Sequence, residues 1–223
     1  MSENGISNYY EYLPQSSQAQ QIVILLHGLG SNGQDLISLA PMWAQYLPEA
    51  VFVSPDAPFA CDMAPPGWEG SYQWYSLQDR DPQVLLRGVR VVAPLVEKFI
   101  DEQLARFDLP PEKLALVGFS QGTMTSLYVA PRLKRAIAGV LGYSGSLPWD
   151  EALKVEVRHK VPIHLIHGQA DDVVPVAAWG HAKEILEREG FPFSGHTTPG
   201  LFHNIDGTGI ASGGAFLQKV LNS

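Results

Sequence analysis

Cysteine is almost missing from this chain. Cys61 stands alone among 223 residues, which excludes an intrachain disulfide and any zinc site built on several thiolates. Long apolar runs are missing too. No stretch approaches the roughly 20 apolar residues that span a bilayer. The start, MSENGISNYYEY, carries neither the basic n-region nor the apolar h-region of a secretory leader, and it lacks the Met-Gly opening of an N-myristoylation signal. Positive charge is scarce: 15 Lys and Arg face 23 Asp and Glu, for a net charge of −8. The densest basic patch, RLKRA (132–136), suits the wet face of a helix better than a stripe that holds phosphates. These absences leave the expectation of a water-soluble, cytoplasmic protein that binds no nucleic acid and has no transmembrane segment.

What is present is an ordinary globular composition, 45% hydrophobic and 17% charged, long enough for one good core and short for two. A single domain over 1–223 is expected. Five continuous apolar segments read as strands covered on both faces: 21–28, 50–58, 113–120, 136–145 and 161–168. A sixth, more polar segment at 194–200 suits the edge of a sheet. Helical patterns fill the gaps at 33–47, from about 82 to 107, at 121–133, 176–190 and 207–222. Pro94, inside the second of these, is expected to kink or break it. Strand and helix alternate, which predicts an α/β fold with a mostly parallel sheet and helices on both faces. One segment breaks the rhythm. Residues 58–82 are rich in Pro, Gly and aromatics without a period. Trp68, Tyr72, Trp74 and Tyr75 argue for order, and an active-site covering loop and a surface loop pinned by its own aromatics fit equally well.

The most specific chemical signal is VGFSQG (117–122). Gly118 and Gly122 flank Ser120 where a strand turns directly into a helix, the G-x-S-x-G nucleophile elbow. A serine hydroxyl needs a base, and seven histidines compete for the role. His27 enters a Gly-rich turn better suited to shaping an anion pocket. His164 reads as a packed core residue, His167 as a brace for the turn it opens, His159 and His181 as solvent-facing, and His196 as part of the edge strand. His203, in PGLFHNIDG, follows the last strand, where it can reach over the carboxyl edge that holds ligands in open α/β sheets. An acid between nucleophile and histidine in chain order completes the hydrolase arrangement. HGQADDVVP (167–175) offers two, Asp171 and Asp172, of which at most one can face a given site. Backbone donors for an oxyanion are expected at Gln121, after the nucleophile, and at Leu29 in HGLGSNG (27–33). That turn lacks the Lys-Ser/Thr of a phosphate loop. Cys61 has no histidine beside it and reads as an unreactive thiol.

With these residues in place the chain resembles the carboxylesterase, acyl-protein thioesterase and lysophospholipase family of small α/β-hydrolases. The resemblance is carried by HGLG, SPDAP, QWYSL, GFSQG, SGSLP, HGQADDVVP and PGLFH, in family order from residue 27 to 203. It implies the α/β-hydrolase fold and a serine hydrolase of carboxylic esters or thioesters that uses no cofactor and no metal. The implied nucleophile is Ser120, the histidine His203, and the oxyanion donors Leu29 and Gln121. It singles out Asp171 as the acid, four residues after His167 and four before Pro175. It also places Leu77, Val173 and Trp74 at the acyl pocket. The implied partner is a small or lipid-like ester or thioester, or an acylated protein, and a homodimer is left open. The chain departs from the family at Ser31 and Ser76, where relatives commonly carry Asp, and in the stretch 60–73, which leaves acyl preference open. Medium-length acyl esters are expected to serve better than bulky ones. A hydrolase fold used only to bind ligands, or a peptide or lactone hydrolase on the same scaffold, are the competing readings.

Overall fold

The computed structural model describes residues 5–14 and 18–223. The first four residues of the polar start read above lie outside them. The central sheet has seven strands in the order β1-β3-β2-β6-β7-β8-β9. They are β1 (Tyr9–Tyr12), β2 (Gln21–Leu26), β3 (Ala50–Pro55), β6 (Leu114–Phe119), β7 (Gly139–Tyr143), β8 (Ile163–Gly168) and β9 (Phe193–Thr198). The six from β3 to β9 run parallel, and β1 pairs antiparallel with β3. β4 (Phe59–Ala60) and β5 (Tyr72–Gln73) form a separate two-stranded hairpin.

Two apolar layers explain why the central strands are hydrophobic throughout. Ile22, Ile24, Leu116 and Ile163 face one side, covered by α3 (Pro82–Phe107), α4 (Gln121–Val129) and α5 (Ala177–Arg188). Val23, Leu25, Val117 and Leu141 face the other, covered by α1 (Gly33–Ile37), α2 (Ala40–Ala44) and α6 (Gly207–Leu221). A strand that alternated apolar with polar would strand its polar side chains in one of these layers. The edge strand at 193–198 is only half-buried, as its polarity predicts.

Four features differ from the sequence expectation. The single helix at 33–47 is two short helices, because Pro41 lacks an amide hydrogen and its ring excludes a helical carbonyl at Ile37, where α1 ends. Helix α3 runs unbroken through Pro94. Its stripe of buried Val89, Val92, Val96 and Phe99 spans the proline, and burying such side chains, at roughly 1.5–3 kcal/mol each, outweighs the loss of about 3 kcal/mol. The Asp81 side chain caps its start by accepting from the Gln83 and Val84 amides. Strand β1 and the β4–β5 hairpin had no periodic signal. β1 is held at the sheet edge by Tyr9 packed edge-on to Phe99 and by the Glu11–Arg106 ion pair.

His164 is the packed core histidine its position suggests. Its Nδ1 and Nε2 each lie 2.8 Å from a hydroxyl, of Ser194 and Ser212 respectively, and its ring stacks on Phe216. Burial, helped by the neighbouring His196, lowers its pKa from 6.5 to about 4. The unfolded chain therefore takes up this proton first. The contribution of His164 to stability is complete above pH 6.5 and drains away as pH falls toward about 4. His164→Gln should flatten this part of the pH–stability curve, measured as the difference in urea midpoint between about pH 7.5 and about pH 4.5. An unchanged difference would show that His164 does not carry it.

Candidate active site

All the parallel strands end on one edge, and that edge collects the candidate residues. β2 runs into His27 and the 28–32 turn, β6 into Ser120, β8 into Asp171, and β9 into His203. Residues far apart in the chain meet because parallel strands share their direction.

Ser120 has φ +52° and ψ −113°, a conformation costing a residue with a side chain roughly 1–3 kcal/mol. Its neighbours hold it there. The Ser120 amide donates to the Tyr143 carbonyl at 2.9 Å. The Thr123 hydroxyl donates to the same carbonyl at 2.8 Å and accepts from the Tyr143 amide at 3.0 Å. The flanking glycines are obligatory: a Cβ at Gly122 would lie 1.8 Å from the Leu26 carbonyl oxygen, and one at Gly118 would lie 2.4 Å from the Thr123 nitrogen. As the N-terminal residue of α4, Ser120 makes no side-chain cap bond, so its hydroxyl stays available at the positive end of the helix.

Asp171 is buried and uses both oxygens. Oδ1 accepts from the amides of Val173 and Val174 at 3.0 and 2.8 Å, and Oδ2 accepts from His203 Nδ1 at 2.8 Å. Burial alone would raise this carboxyl. The His203 hydrogen bond and the Val174 and Val173 amides outweigh that effect and hold it below its ordinary range. A carboxylate only accepts, so His203 Nδ1 carries a proton, and in the neutral ring the lone pair is on Nε2. The His203 ring leans on Phe119, centroids 4.9 Å apart. His203 and Ser120 line one cavity. Among the described residues no hydrogen bond joins them in this conformation; such contacts commonly tighten only with substrate bound. Asp172 faces solvent.

Two other histidines prove to be braces. His167 Nε2 donates to the Val174 carbonyl at 2.8 Å and lies 3.3 Å from Asp171 Oδ2. It thus ties the aspartate turn to the end of β8. His27 Nδ1 lies 2.7 Å from the Gly28 carbonyl, while its Nε2 accepts from the Ala57 amide at 3.0 Å. Burial lowers its pKa despite the Gly28 carbonyl, Asp56 and Asp35. Both nitrogens of a neutral ring are occupied, and neither can serve as base.

The cavity encloses about 690 Å³, within the usual range for small-molecule sites. Leu29 and Ser31 border it on the turn side, and Leu77, Leu85, Met124 and Val173 supply apolar wall. Leu77 and Val173 therefore lie where the acyl pocket is expected. Trp74 does not. It is fully buried behind the wall, its indole donating to the His27 carbonyl at 2.9 Å. An indole N–H taken out of water must find an acceptor, and the nearest is backbone rather than ligand space. Leu85, Met124 and Phe119 escaped the sequence reading, although a bulky aromatic directly before the serine is a usable signal. The amides of Leu29 and Gln121 make no hydrogen bond among the described residues, as a donor kept for an oxyanion requires. A second cavity, of about 650 Å³, lies near Leu109, Pro111 and Ile137, by the amino ends of β6 and β7 and so away from this edge.

Sheet, elbow and site define an α/β-hydrolase. A family model described as phospholipase/carboxylesterase matches residues 8–221, and the chain belongs to that family of serine hydrolases of esters and thioesters. Acyl-protein thioesterase 1 of Schizosaccharomyces pombe is 29% identical over 211 residues, 90% of this chain and 91% of the relative. Acyl-protein thioesterase 1 of Aspergillus fumigatus is 30% identical over 223 residues, 89% and 87% of the two. Among solved structures, esterase PE8 matches with a TM-score of 0.88 at 34% identity, over 95% of this chain and 98% of that one.

The two aspartates are expected to separate sharply in steady-state ester hydrolysis. Asp171→Asn removes the charge and unsettles the His203 tautomer, and kcat should fall by roughly 10³–10⁴. Asp172→Asn should stay within about twofold of wild type, since its exposed carboxylate makes no contact with the ring and is screened by solvent. Equal losses would overturn the assignment of the acid to Asp171.

Proposed function

We propose that the chain is a cytoplasmic carboxylic ester or thioester hydrolase working through an acyl-enzyme on Ser120. The observation that carries this reading is the Asp171–His203 hydrogen bond beside a serine with an unused hydroxyl on the same cavity. Nε2 of His203 takes the Ser120 proton as Oγ attacks the carbonyl carbon. The carbonyl oxygen becomes an oxyanion held by the Leu29 and Gln121 amides. As the tetrahedral intermediate collapses, His203 returns its proton to the departing alkoxide or thiolate, which leaves as alcohol or thiol. Water then enters and gives a proton to Nε2 while attacking the acyl-serine. The second collapse releases the carboxylic acid and restores the Ser120 hydroxyl. Asp171 remains ionised throughout, offsetting the charge on the imidazolium.

The apolar wall supports an acyl chain as the group bound beyond the carbonyl. Among the described residues no helix is long and apolar enough to cross a membrane, and no group of three or more His, Cys, Asp or Glu is placed to hold a metal.

A fluorophosphonate probe should label the wild type on the peptide bearing Ser120 and leave Ser120→Ala unlabelled, read by mass spectrometry. Folded wild type that takes no label would leave a binding role on a hydrolase fold. In a p-nitrophenyl ester series kcat/KM should peak at medium-length acyl groups and drop for bulky branched ones. Comparing oxygen and sulfur esters of the best acyl group would fix the leaving-group class. Activity confined to peptides would exclude the ester and thioester assignment, and activity confined to lactones would exclude its open-chain form.

A further inference from the structure

The mechanism uses the amide of Gln121 and leaves its side chain unexplained. That carboxamide is fully buried. Its Oε1 accepts from the Trp74 amide at 3.0 Å, and its Nε2 donates to the Tyr75 carbonyl at 2.7 Å. Donor and acceptor together grip the backbone of the 58–82 segment as a neighbouring strand would. The same segment is bonded to the other donor loop. The Trp74 indole donates to the His27 carbonyl at 2.9 Å, and the Ser71 hydroxyl to the Gly30 carbonyl at 2.8 Å. The Gly30 amide donates to the Tyr72 carbonyl at 2.8 Å, and the Tyr72 amide to the Ser31 carbonyl at 2.9 Å. The Asn32 side chain donates to the Gly70 carbonyl at 2.9 Å.

Residues 70–75 are thus bonded to both backbone turns that carry Leu29 and Gln121, beside the point where Gly122 packs directly against the Leu26 and His27 carbonyls. These turns belong to different strands, and beyond the sheet edge the spacing of their amides is not set by the β2–β6 ladder, which ends at the Leu26–Gly118 pair. We propose that residues 70–75 are a fixed brace that holds the two oxyanion donors in register with one another, with the Gln121 carboxamide as the positioning residue that locks it. The inference rests on the hydrolase reading above. The inner limb of the covering loop, on this view, is part of the catalytic frame and does not swing with substrate.

Gln121→Glu keeps the shape and one acceptor but sets a carboxylate oxygen against the Tyr75 carbonyl. Gln121→Met keeps the approximate volume and removes both bonds. Each is compared with wild type in ester hydrolysis, in inhibition by a trifluoromethyl ketone, which forms an oxyanion on Ser120, and in binding of the matching ether, which forms none. Displaced donors should lower kcat by roughly 10–10² and weaken the ketone by a similar factor, with KM and ether affinity within about threefold. A merely structural side chain would weaken ketone and ether alike, or neither, and either result overturns the proposal. Should the Gln121 variants fail to unfold cooperatively, Trp74→Phe carries the test, because it cuts the indole link to the His27 carbonyl while keeping an aromatic ring in the core, and should show the same split. Wild type that neither turns over esters nor binds the ketone would sink the hydrolase reading itself, a result distinct from variants that match an active wild type.

Discussion

A serine held at φ +52° on the end of a parallel strand is the constraint from which the rest of this site follows. In that conformation the hydroxyl projects beyond the sheet while the next amide starts a helix, so a free hydroxyl and a free backbone donor, the pair the proposed chemistry needs, come from consecutive residues. The strain, roughly 1–3 kcal/mol, must be met by contacts that fail if the turn relaxes. The bonds to the Tyr143 carbonyl and through the Thr123 hydroxyl do this, at about 1 kcal/mol each. The same turn forces Gly118 and Gly122 against backbone atoms of their neighbours. Conformation, packing and chemistry at Ser120 are therefore one requirement met by one short motif.

Charge at the site is governed by burial as much as by pairing. Burial pushes the Asp171 carboxyl upward, yet the His203 ring and two amides outweigh it and hold the carboxyl below its ordinary range. Its neighbour Asp172 points into water and makes no hydrogen bond to a histidine ring among the described residues. His27 and His167, each closer in sequence to a candidate loop than His203 is to Ser120, have donated their hydrogens to backbone carbonyls. What distinguishes His203 is a ring whose second nitrogen remains free above the sheet edge.

The sequence could be read wherever a local pattern was tied to a steric need. The buried strands are continuous because both faces are covered, and the glycines around Ser120 are there because a Cβ would collide. Between Asp171 and Asp172, by contrast, the local pattern was silent, and only the spacing shared with related chains singled out one. Other features were illegible for physical reasons. Pro41 splits a helix whose apolar spacing continues across the break. β1 is a four-residue edge strand whose partner is distant in sequence. Trp74 lies in a motif associated with the pocket, but its indole satisfies itself on backbone. The grip of the Gln121 side chain joins residues 46 and 47 positions apart, and nothing in a one-dimensional pattern marks such a pair.

The 58–82 segment divides into two limbs with different physics. The inner limb, 70–75, is bonded along its length to the turns around the reacting centre. The outer limb carries Met63 and Trp68 into solvent, 52% and 68% exposed, and a Cβ added at Gly67 would meet nothing within 4 Å. A substitution in the inner limb disturbs hydrogen bonds to the turns near Ser120, whereas one at the exposed tip, beyond the Cys61 and Asp62 amides that bond Ser71 and Gln73, changes mainly what the surface offers. Change can therefore accumulate at the tip, 63–69, without moving the backbone bonded around Ser120. The departures at Ser31 and Ser76 fit the same division. The Ser31 hydroxyl turns toward Asp35 at 2.9 Å, and the Ser76 hydroxyl accepts from the Gln78 amide at 3.3 Å, so both changes are absorbed locally and the Asp171–His203 pair is left as it is.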